Sequence, residues 1–369
     1  MASNAFDFTP FFAPNLPPAA SRWDGFPQYN FVGGHNDGEA VPVAALIEAT
    51  RAVLEREGHT LATYGLRSGA QGYEPLRGFI AQKLRTRAGM RCAAQDVLVT
   101  SGSLQGLDLV NETLLSPGDT VVVEQFTYGG ALTRLARRGV HVIGVPLDAD
   151  GIRADALSGT LEQLASRGTR PKYIYLIPTV QNPTGAIMSL QRRQEVLQAA
   201  AKFDVPIFED ECYADLTWSG DRPPALHALD DDGRVIHIGS FSKSIAPALR
   251  VGYLVADWPL MSRVVACKTD GGSGALEQMV LAEFCARAFD DHVSTLNRRL
   301  EGKLDVLIDA LCEQFGTSAE FVRPGGGIFL WVKLPAQVDA LAPVGTAPAT
   351  GTALHPRPEG STDTQPARH

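Results

Sequence analysis

The 369-residue sequence lacks several features that would point to particular classes of protein. No apolar run reaches the roughly 20 residues that a membrane-spanning helix needs, so we expect no membrane partner. Positive charge is not in excess, because 33 lysines and arginines stand against 41 aspartates and glutamates, for a formal net charge of −8. Without a broad basic face, binding to nucleic acid is not expected.

Cysteine is also scarce. The five cysteines are odd in number and scattered, without the spacing of a disulfide framework or of a zinc site. Prolines interrupt the amino-terminal segment, and no basic region precedes an apolar core there, so a signal peptide is not predicted. We therefore expect a reducing, cytoplasmic location and no bound metal.

Short β-branched runs alternate with amphipathic stretches over most of the sequence. A stretch with helical periodicity follows each of the runs DVLVT, TVVVE and YIYLIP, and the runs VPIFED, RVIHIGSF and RVGYLVA come farther on. Strands that alternate with helices of this length predict an α/β protein, with a mostly parallel sheet between two layers of helices. At 44% apolar residues, the chain can bury a core of that size.

Four regions are expected along the chain. Residues 1–40 predict a proline-broken arm, residues 41–260 the large α/β domain, and residues 261–338 a smaller α+β domain that ends in the strand-like GGGIFLWVKLP. Residues 339–369 are rich in proline, contain no aromatic residue and follow neither helical nor strand periodicity. We expect this last segment to be disordered.

The residues that follow each predicted strand are the candidates for a site, because ligands of open α/β sheets bind beside the carboxyl ends of the strands. Ser103 and Leu104 follow the first strand and begin a helix, whose amino terminus attracts phosphate. An ordinary helix start with a glycine has the same sequence pattern. Asn182 follows a later strand in Gln-Asn-Pro-Thr-Gly, which is also typical of a plain turn.

Two further strands end in polar residues. Asp210 and Tyr213 follow VPIFE, where the alternative is a solvated acidic loop. Lys243 lies between Ser240 and Arg250 after RVIHIG, where the alternative is a strand that turns into an ordinary surface loop. Together the residues after these strands place a carboxylate, a phenol, an amide, a lysine and a phosphate cradle at one edge of the sheet. Pyridoxal phosphate requires that set, since its aldehyde needs an amine, its ring nitrogen a carboxylate, and its ring oxygen and phosphate hydrogen-bond donors.

The order of these motifs resembles that of a known family. The block Ser-x-Ser-Lys, followed seven positions on by Arg-x-Gly and preceded by Asn-Pro-Thr-Gly and Asp-x-x-Tyr, is similar to the fold-type-I, aspartate-aminotransferase-like enzymes. Within that group the chain resembles the class I/II aminotransferases related to aminoadipate and kynurenine transaminases, from about residue 25 to 338. The resemblance implies pyridoxal 5'-phosphate as cofactor, a PLP-transferase large domain and a cis bond between Asn182 and Pro183.

The resemblance also implies roles for individual residues. Lys243 matches the lysine that binds the cofactor covalently and moves the substrate proton, and Asp210 matches the partner of the ring nitrogen. The other cofactor-binding residues that it implies are the ring-oxygen donors Asn182 and Tyr213, the phosphate ligands Ser103, Leu104, Ser240 and Arg250, and Tyr128, whose ring would stack on the pyridine.

Three further residues complete the expected site. Tyr64 matches a tyrosine that reaches the phosphate of the neighbouring subunit, which implies a homodimer with shared active sites. Gly34 matches a backbone position on the substrate side, where Asn182 is also implied. The stacking role of Tyr128 has an alternative, because an ordinary buried tyrosine would have the same sequence context.

These observations predict a cytoplasmic aminotransferase that moves an amino group between an L-amino acid and a 2-oxo acid. The cofactor motifs do not separate this activity from that of a PLP-dependent lyase or decarboxylase, because the protein decides which bond at Cα breaks. A transcription regulator that carries this domain is disfavoured, since no basic helix-turn-helix of sufficient size precedes Gly33.

The family's carboxylate clamp has no clear match. In the family, a final strand pair carries an arginine that binds the substrate carboxylate bidentately, but here the pattern stops near Asp339. Arg357 and Arg368 lie in aperiodic sequence, which leaves Arg22 in the arm as the candidate for substrate binding. We expect an incomplete small domain, from a truncated or frameshifted form of a longer enzyme. A PLP-binding protein without turnover is a further alternative.

Overall fold

The computed structural model describes residues 6–13, 16–17, 19–23, 25–26, 28–30, 33–218, 222–335 and 352–353. By its internal contacts the chain divides into two units, residues 1–33 with 340–357 and residues 34–339 with 358–369. In the first unit, strand β1 (Tyr29–Asn30) pairs in parallel with strand β13 (Thr352–Ala353). Apart from those last two residues, the segment predicted to be disordered lies outside the described residues.

A seven-stranded sheet lies within the second unit. Its strands are β2 (Val97–Ser101), β3 (Thr120–Glu124), β4 (His141–Val145), β7 (Ile174–Leu176), β8 (Ile207–Asp210), β9 (Val235–Ser240) and β10 (Val251–Val255). They lie in the order β2-β10-β9-β8-β7-β3-β4, and β10 runs antiparallel to both of its neighbours. Because the other pairs are parallel, the carboxyl ends of those strands and the start of β10 share one edge. The prediction of an α/β fold with a mostly parallel sheet is confirmed.

Helices cover the sheet and extend beyond it. Their bounds are α1 (Val43–Glu57), α2 (Glu74–Ala88), α3 (Ser103–Leu114), α4 (Gly129–Arg138), α5 (Ala154–Ser166), α6 (Leu190–Lys202), α7 (Leu226–Leu229), α8 (Trp258–Cys267) and α9 (Ala275–Phe315). Apolar side chains of α3, α4 and α8 pack on one face of the sheet, and those of α5, α6 and α7 pack on the other. In the part of the chain that the structure describes, no helix is both long and apolar enough to cross a bilayer.

The alternation of side chains along buried strands builds two cores from one sheet. In β3, Val121 and Val123 belong to the core beneath α3 and α4, whereas Val122 belongs to the core beneath α5 and α6. Successive side chains of a strand point to opposite faces, so a strand covered on both sides is apolar throughout. A third core joins α1, α2 and α9 to strands β2 and β10.

The carboxyl-terminal part of the second unit differs from its prediction in one segment. GGGIFLWVKLP was expected to form a strand, but only Val332–Lys333 (β12) does so, and it pairs antiparallel with Glu320–Phe321 (β11). Gly326 forms an isolated bridge with Thr217. A Cβ atom at Gly326 would lie 2.2 Å from the carbonyl oxygen of Leu216, so the close backbone approach requires glycine. The remaining antiparallel pair is β5 (Leu147–Asp148) with β6 (Gly151–Ile152). The predicted boundary between large and small domains near residue 260 stays a prediction.

Candidate active site

Lys243 follows β9 at the shared edge of the sheet, and its side chain is half-buried. Its Nζ donates a 2.8 Å hydrogen bond to the carbonyl oxygen of Gly34 and lies 5.7 Å from the centre of the Tyr213 ring. Burial lowers the pKa of the Lys243 amine, the nearby Arg250 charge lowers it further, and Cys212 acts in the opposite direction. A neutral amine is therefore more accessible here than at an exposed lysine.

Asp210 is the last residue of β8 and is buried. Its Oδ2 accepts a 2.7 Å hydrogen bond from the Tyr175 hydroxyl, and its Oδ1 accepts a 3.1 Å bond from the backbone amide of Cys212. Burial raises the pKa of the Asp210 carboxyl despite those two donors. No lysine, arginine or histidine of the described residues forms an ion pair with it. Within the described part of the chain, this buried acid thus has no counter-charge.

Asn182 and Tyr213 meet in front of this acid. The Asn182 side-chain nitrogen donates a 3.2 Å hydrogen bond to the Tyr213 hydroxyl, although the two residues are on different loops. Burial raises the pKa of the Tyr213 phenol well above its ordinary value, and the Asn182 hydrogen bond only partly offsets this rise. The phenol therefore remains protonated and can donate. The bond between Asn182 and Pro183 is cis, as predicted.

The amino terminus of α3 and the Arg250 side chain form a cationic corner. Gly102, at φ +73°, is the N-cap residue that precedes α3, and as a glycine it provides no side chain to cap the helix. A Cβ atom at Gly102 would lie 2.2 Å from Nη2 of Arg250, which places the guanidinium directly against the start of α3. A Cβ at Gly252 would lie 2.5 Å from the Ser103 amide nitrogen. Ser240 is buried beside them, and its Oγ accepts a 3.0 Å hydrogen bond from the Ser242 amide.

Tyr128 and Cys212 lie between these groups. Burial raises the pKa of the Cys212 thiol well above its ordinary value, and the neighbouring Asp210 raises it further. Burial raises the pKa of the Tyr128 phenol, and the neighbouring Asp210 raises it further. The Tyr128 ring folds over Gly130, where a Cβ atom would lie 2.5 Å from the ring Cζ.

Tyr64 and Arg22, the two other predicted site residues, are both exposed. Tyr64 is 91% exposed, and its ring lies beside Gly271. Arg22 is exposed and belongs to the first unit, and its proposed role stays a prediction. Arg357 and Arg368 lie outside the described residues.

Other residues of the site were not predicted from the sequence. Tyr175 lies in the middle of β7, where no sequence signal separates a structural tyrosine from one that supports an acid. Glu124, the last residue of β3, is buried, and its Oε2 accepts hydrogen bonds from the Ile177 amide at 3.1 Å and the Gln181 side chain at 3.2 Å. Burial raises the pKa of Glu124 to about 8, and these two donors oppose that rise. Glu124 could have been predicted from the sequence, because it lies at the carboxyl end of a predicted strand, as Asp210 does.

These residues fit the pyridoxal phosphate that the sequence resemblance implies. Lys243 offers a partly desolvated amine, and Asp210 offers a buried carboxyl without a cation partner among the described residues. The start of α3, with a glycine that leaves room for the Arg250 guanidinium, offers amide donors and positive charge to a phosphate. The Asn182–Tyr213 pair offers two donors to a ring oxygen.

Comparison with known proteins gives consistent results. The family model described as Aminotransferase class I and II matches residues 28–351. The aromatic-amino-acid aminotransferase 1 of Thermococcus litoralis is 32% identical over 330 residues, which cover 89% of this chain and 78% of that protein.

Solved structures are similar over most of the chain. The multiple substrate aminotransferase of Thermococcus profundus superposes with a TM-score of 0.87 at 30% identity, covering 94% of this chain and 88% of the other. The alpha-aminoadipate aminotransferase LysN of Thermus thermophilus, complexed with N-(5'-phosphopyridoxyl)-L-leucine, superposes with a TM-score of 0.80 at 31% identity, covering 88% and 81%. The similarity therefore includes a protein that holds a phosphopyridoxyl group.

Proposed function

The chain belongs to the class I and II aminotransferases and is a PLP-dependent transaminase, and from this premise we propose which residues perform the reaction and on which substrates. The observation that carries the proposal is the meeting, at one sheet edge, of the Lys243 amine, the Asp210 carboxyl, the Asn182–Tyr213 pair and the Arg250 guanidinium. When bound, pyridoxal phosphate supplies an electron sink for the negative charge that develops at the substrate Cα.

Lys243 would hold the cofactor at its aldehyde carbon and act as the base that removes the substrate Cα proton. A base must be neutral to accept a proton, and the lowered pKa of the Lys243 amine increases its neutral fraction near neutral pH. The carbonyl oxygen of Gly34 accepts a hydrogen bond from the same nitrogen, and it can orient the amine on the substrate side.

Asp210 would hold positive charge at the ring nitrogen. Its carboxyl is buried and has an upward-shifted pKa in the cofactor-free chain, so a cationic partner would favour the ionised form by charge pairing. Asn182 and Tyr213 would donate to the ring oxygen, and Tyr128 would cover the ring. Ser103, the Leu104 amide, Ser240 and Arg250 would bind the phosphate.

We propose aromatic or large apolar amino acids as substrates. Ile328 and Phe329 lie next to Gly34, the residue that Lys243 contacts, because a Cβ atom at Gly34 would lie 3.1 Å from Ile328 Cδ1 and 3.6 Å from Phe329 Cζ. Phe329 also packs edge-on against Tyr213, with their ring centres 5.5 Å apart. An apolar wall of this kind favours apolar side chains, and the printed name of the Thermococcus litoralis relative supports the same class.

The proposal extends to assembly and location. A homodimer is supported by the 91% exposure of Tyr64, whose ring is thus available to a second copy. A cytoplasmic location is supported by the five free cysteines. Sedimentation of the purified chain would measure the first, and fractionation of the source cells the second.

A panel of L-amino acids tests the function. Purified chain loaded with pyridoxal phosphate is mixed with L-phenylalanine, L-2-aminoadipate or L-alanine, together with a 2-oxo acid acceptor. We expect stoichiometric formation of the matching 2-oxo acid, fastest with L-phenylalanine. Release of carbon dioxide or ammonia without amino transfer would instead indicate a decarboxylase or lyase.

A further inference from the structure

A buried guanidinium lies behind the proposed cofactor residues, on the opposite side of β8 from Asp210. Arg193, on α6, is fully buried, although arginine is almost never fully buried unless it is paired. Glu209 and Glu211 flank Asp210 in sequence and point away from it, toward Arg193. Because successive side chains along a strand point to opposite faces of the sheet, Asp210 lies on one face and its two neighbours lie on the other.

Arg193 holds both ends of the loop that carries Asn182. Its Nη2 donates hydrogen bonds to the carbonyl oxygen of Pro178 at 3.0 Å and to the Thr179 hydroxyl at 2.7 Å. Its Nε donates a 3.1 Å bond to the carbonyl oxygen of Met188. One planar side chain thus fixes the entry and the exit of residues 178–188.

That loop contains a conformation that its own sequence does not favour. Val180 is buried at φ +56°, in the left-handed region where a β-branched residue is strained. Such a conformation persists only where the surroundings impose it. The contacts at the base of the loop, which include the Met188 amide to Pro178 carbonyl bond at 2.8 Å, provide that constraint.

Arg193 reaches the second loop of the site through carboxylates. Its Nη1 lies 3.5 Å from Oε1 of Glu211, which also accepts a 2.7 Å hydrogen bond from the Thr179 hydroxyl. Glu211 is two residues from Tyr213, so Arg193 contacts the stems of both loops whose tips meet in the Asn182–Tyr213 hydrogen bond. Arg222 pairs with the other oxygen of Glu211 at 2.6 Å, and the His237 ring contacts Glu209 at 2.9 Å. Both carboxylates therefore have a second partner besides Arg193.

We propose that Arg193 is a positioning residue, which sets the relative placement of Asn182 and Tyr213 by joining the bases of their two loops. The inference rests on the proposed function only in assigning that pair to the cofactor ring oxygen. Arg193 touches neither cofactor nor substrate in this account, and it acts through the loops.

The substitution Arg193→Lys tests whether Arg193 acts through its hydrogen bonds to the two loops or only through its positive charge. Lysine keeps one positive charge near Glu211, but a single ammonium cannot reproduce the planar fork that reaches Pro178, Thr179 and Met188 together. The matched control is Arg192→Lys, on the same helix, because Arg192 is partly buried but pairs with Asp148 and the Ile152 carbonyl instead of with residues 178–188 or Glu211. Thr179→Val is a second test variant, which removes the hydroxyl between Arg193 and Glu211 but keeps the side-chain shape.

Two readouts are needed. Hydrogen exchange of the cofactor-free chain reports whether residues 178–188 are held in place, and we expect roughly tenfold or faster exchange there in Arg193→Lys and Thr179→Val, with α5 unchanged. In the loaded protein, the pH midpoint of the cofactor absorption band reports the ring-oxygen donors. Losing those donors leaves more negative charge beside the proton held at the Lys243 nitrogen, so the midpoint should move upward by about half a unit or more. Arg192→Lys should change neither readout.

The two readouts distinguish a failure of the positioning role from a failure of the proposed function. Unchanged exchange of residues 178–188 in both test variants would overturn the positioning role, and faster exchange with an unmoved midpoint would overturn its connection to the Asn182–Tyr213 pair. A wild-type chain that forms no absorbing complex with pyridoxal phosphate at all would contradict the proposed function, whatever the exchange result.

Discussion

At the scale of single residues, burial shifts the pKa values of the two central groups of the site, Lys243 and Asp210. Both shifts favour the neutral form of the group. Burial lowers the pKa of the Lys243 amine and raises that of the Asp210 carboxyl in the cofactor-free chain. A neutral amine is the form that a base and nucleophile needs. An uncompensated buried carboxyl is instead unfavourable for folding until a cation is bound next to it.

Asp210→Asn should therefore stabilise the cofactor-free chain while impairing the enzyme. The pKa of Asp210 is higher in the folded chain than in the unfolded chain. The contribution of Asp210 to the free energy of unfolding is therefore most favourable below about pH 4, and it is lost as the pH rises through the pKa of the folded state. We expect the variant to gain on the order of 1 kcal/mol of unfolding free energy at pH 7, and the gain to vanish toward pH 4. Urea unfolding at a series of pH values measures this. A constant difference at every pH would contradict the assignment, and Asp155→Asn, at an exposed position, is the control.

At the scale of elements, the sequence predicts the sheet well where the strands are buried on both faces. TVVVE was predicted as a strand and forms β3 at the same residues. The edge strand β4 was missed, because HVIGV is largely exposed and contains a glycine, and α5 was missed as well. The motif residues after β8 and β9 were predicted, since ligand chemistry at strand ends follows from topology. Arg193 was not, because a buried helical arginine has no sequence signature.

The turn into α3 depends on a glycine. Gly102→Ala would place a Cβ atom 2.2 Å from Nη2 of Arg250 at a backbone φ of +73°, so the guanidinium has to leave the helix start. We expect the dissociation constant for pyridoxal phosphate to rise at least about tenfold, or roughly 1.4 kcal/mol. Equilibrium titration by absorbance measures it.

Gly159→Ala is the matched control. Gly159 lies within α5, and an added Cβ atom there meets open space. It should leave cofactor affinity unchanged and raise stability by up to about 1 kcal/mol, as alanine does in helices. Equal affinities of the two variants would rule out the steric argument for Gly102.

Helix α2 is tied to the loop after β8 by a buried ion pair. Lys83 Nζ lies 2.7 Å from Oδ2 of Asp215, and both side chains are buried. Burial lowers the pKa of the Lys83 amine, but the charges and hydrogen bonds of Asp215 and Tyr253 together outweigh this effect, so the net shift is upward. The ring of Phe289 lies 5.3 Å from the same nitrogen. The pair thus lies in apolar surroundings, two residues beyond Tyr213.

Removing one member of this ion pair should lower the free energy of unfolding more than removing both members. Lys83→Met leaves Asp215 buried and unpaired, at a cost of about 3–5 kcal/mol in unfolding free energy. Lys83→Met combined with Asp215→Leu should be less destabilised than the single variant, because the uncompensated charge is gone. A double-mutant cycle by urea unfolding measures the coupling. Additive losses would show that the two charges act independently.

At the scale of the whole molecule, the fold collects at one edge residues that lie far apart in sequence. Ser103 and Arg250 are 147 positions apart, yet the antiparallel strand β10 pairs with β2 and brings the Arg250 side chain to the start of α3. Relatives of similar identity have names with different substrates, aromatic amino acids in one and 2-aminoadipate in another. The positions of the proposed cofactor residues follow from the topology of the sheet, because these residues lie at strand ends. The substrate contacts instead depend on segments whose placement cannot be predicted from a local sequence pattern.

The most direct test of the account is to locate the cofactor on the chain. The purified protein is incubated with pyridoxal phosphate, reduced with borohydride, digested and mapped by mass spectrometry. We expect one pyridoxyl group per chain, on Lys243, with Lys83 and the surface lysines unmodified. A pyridoxyl group on any other lysine, or none on Lys243, would contradict it.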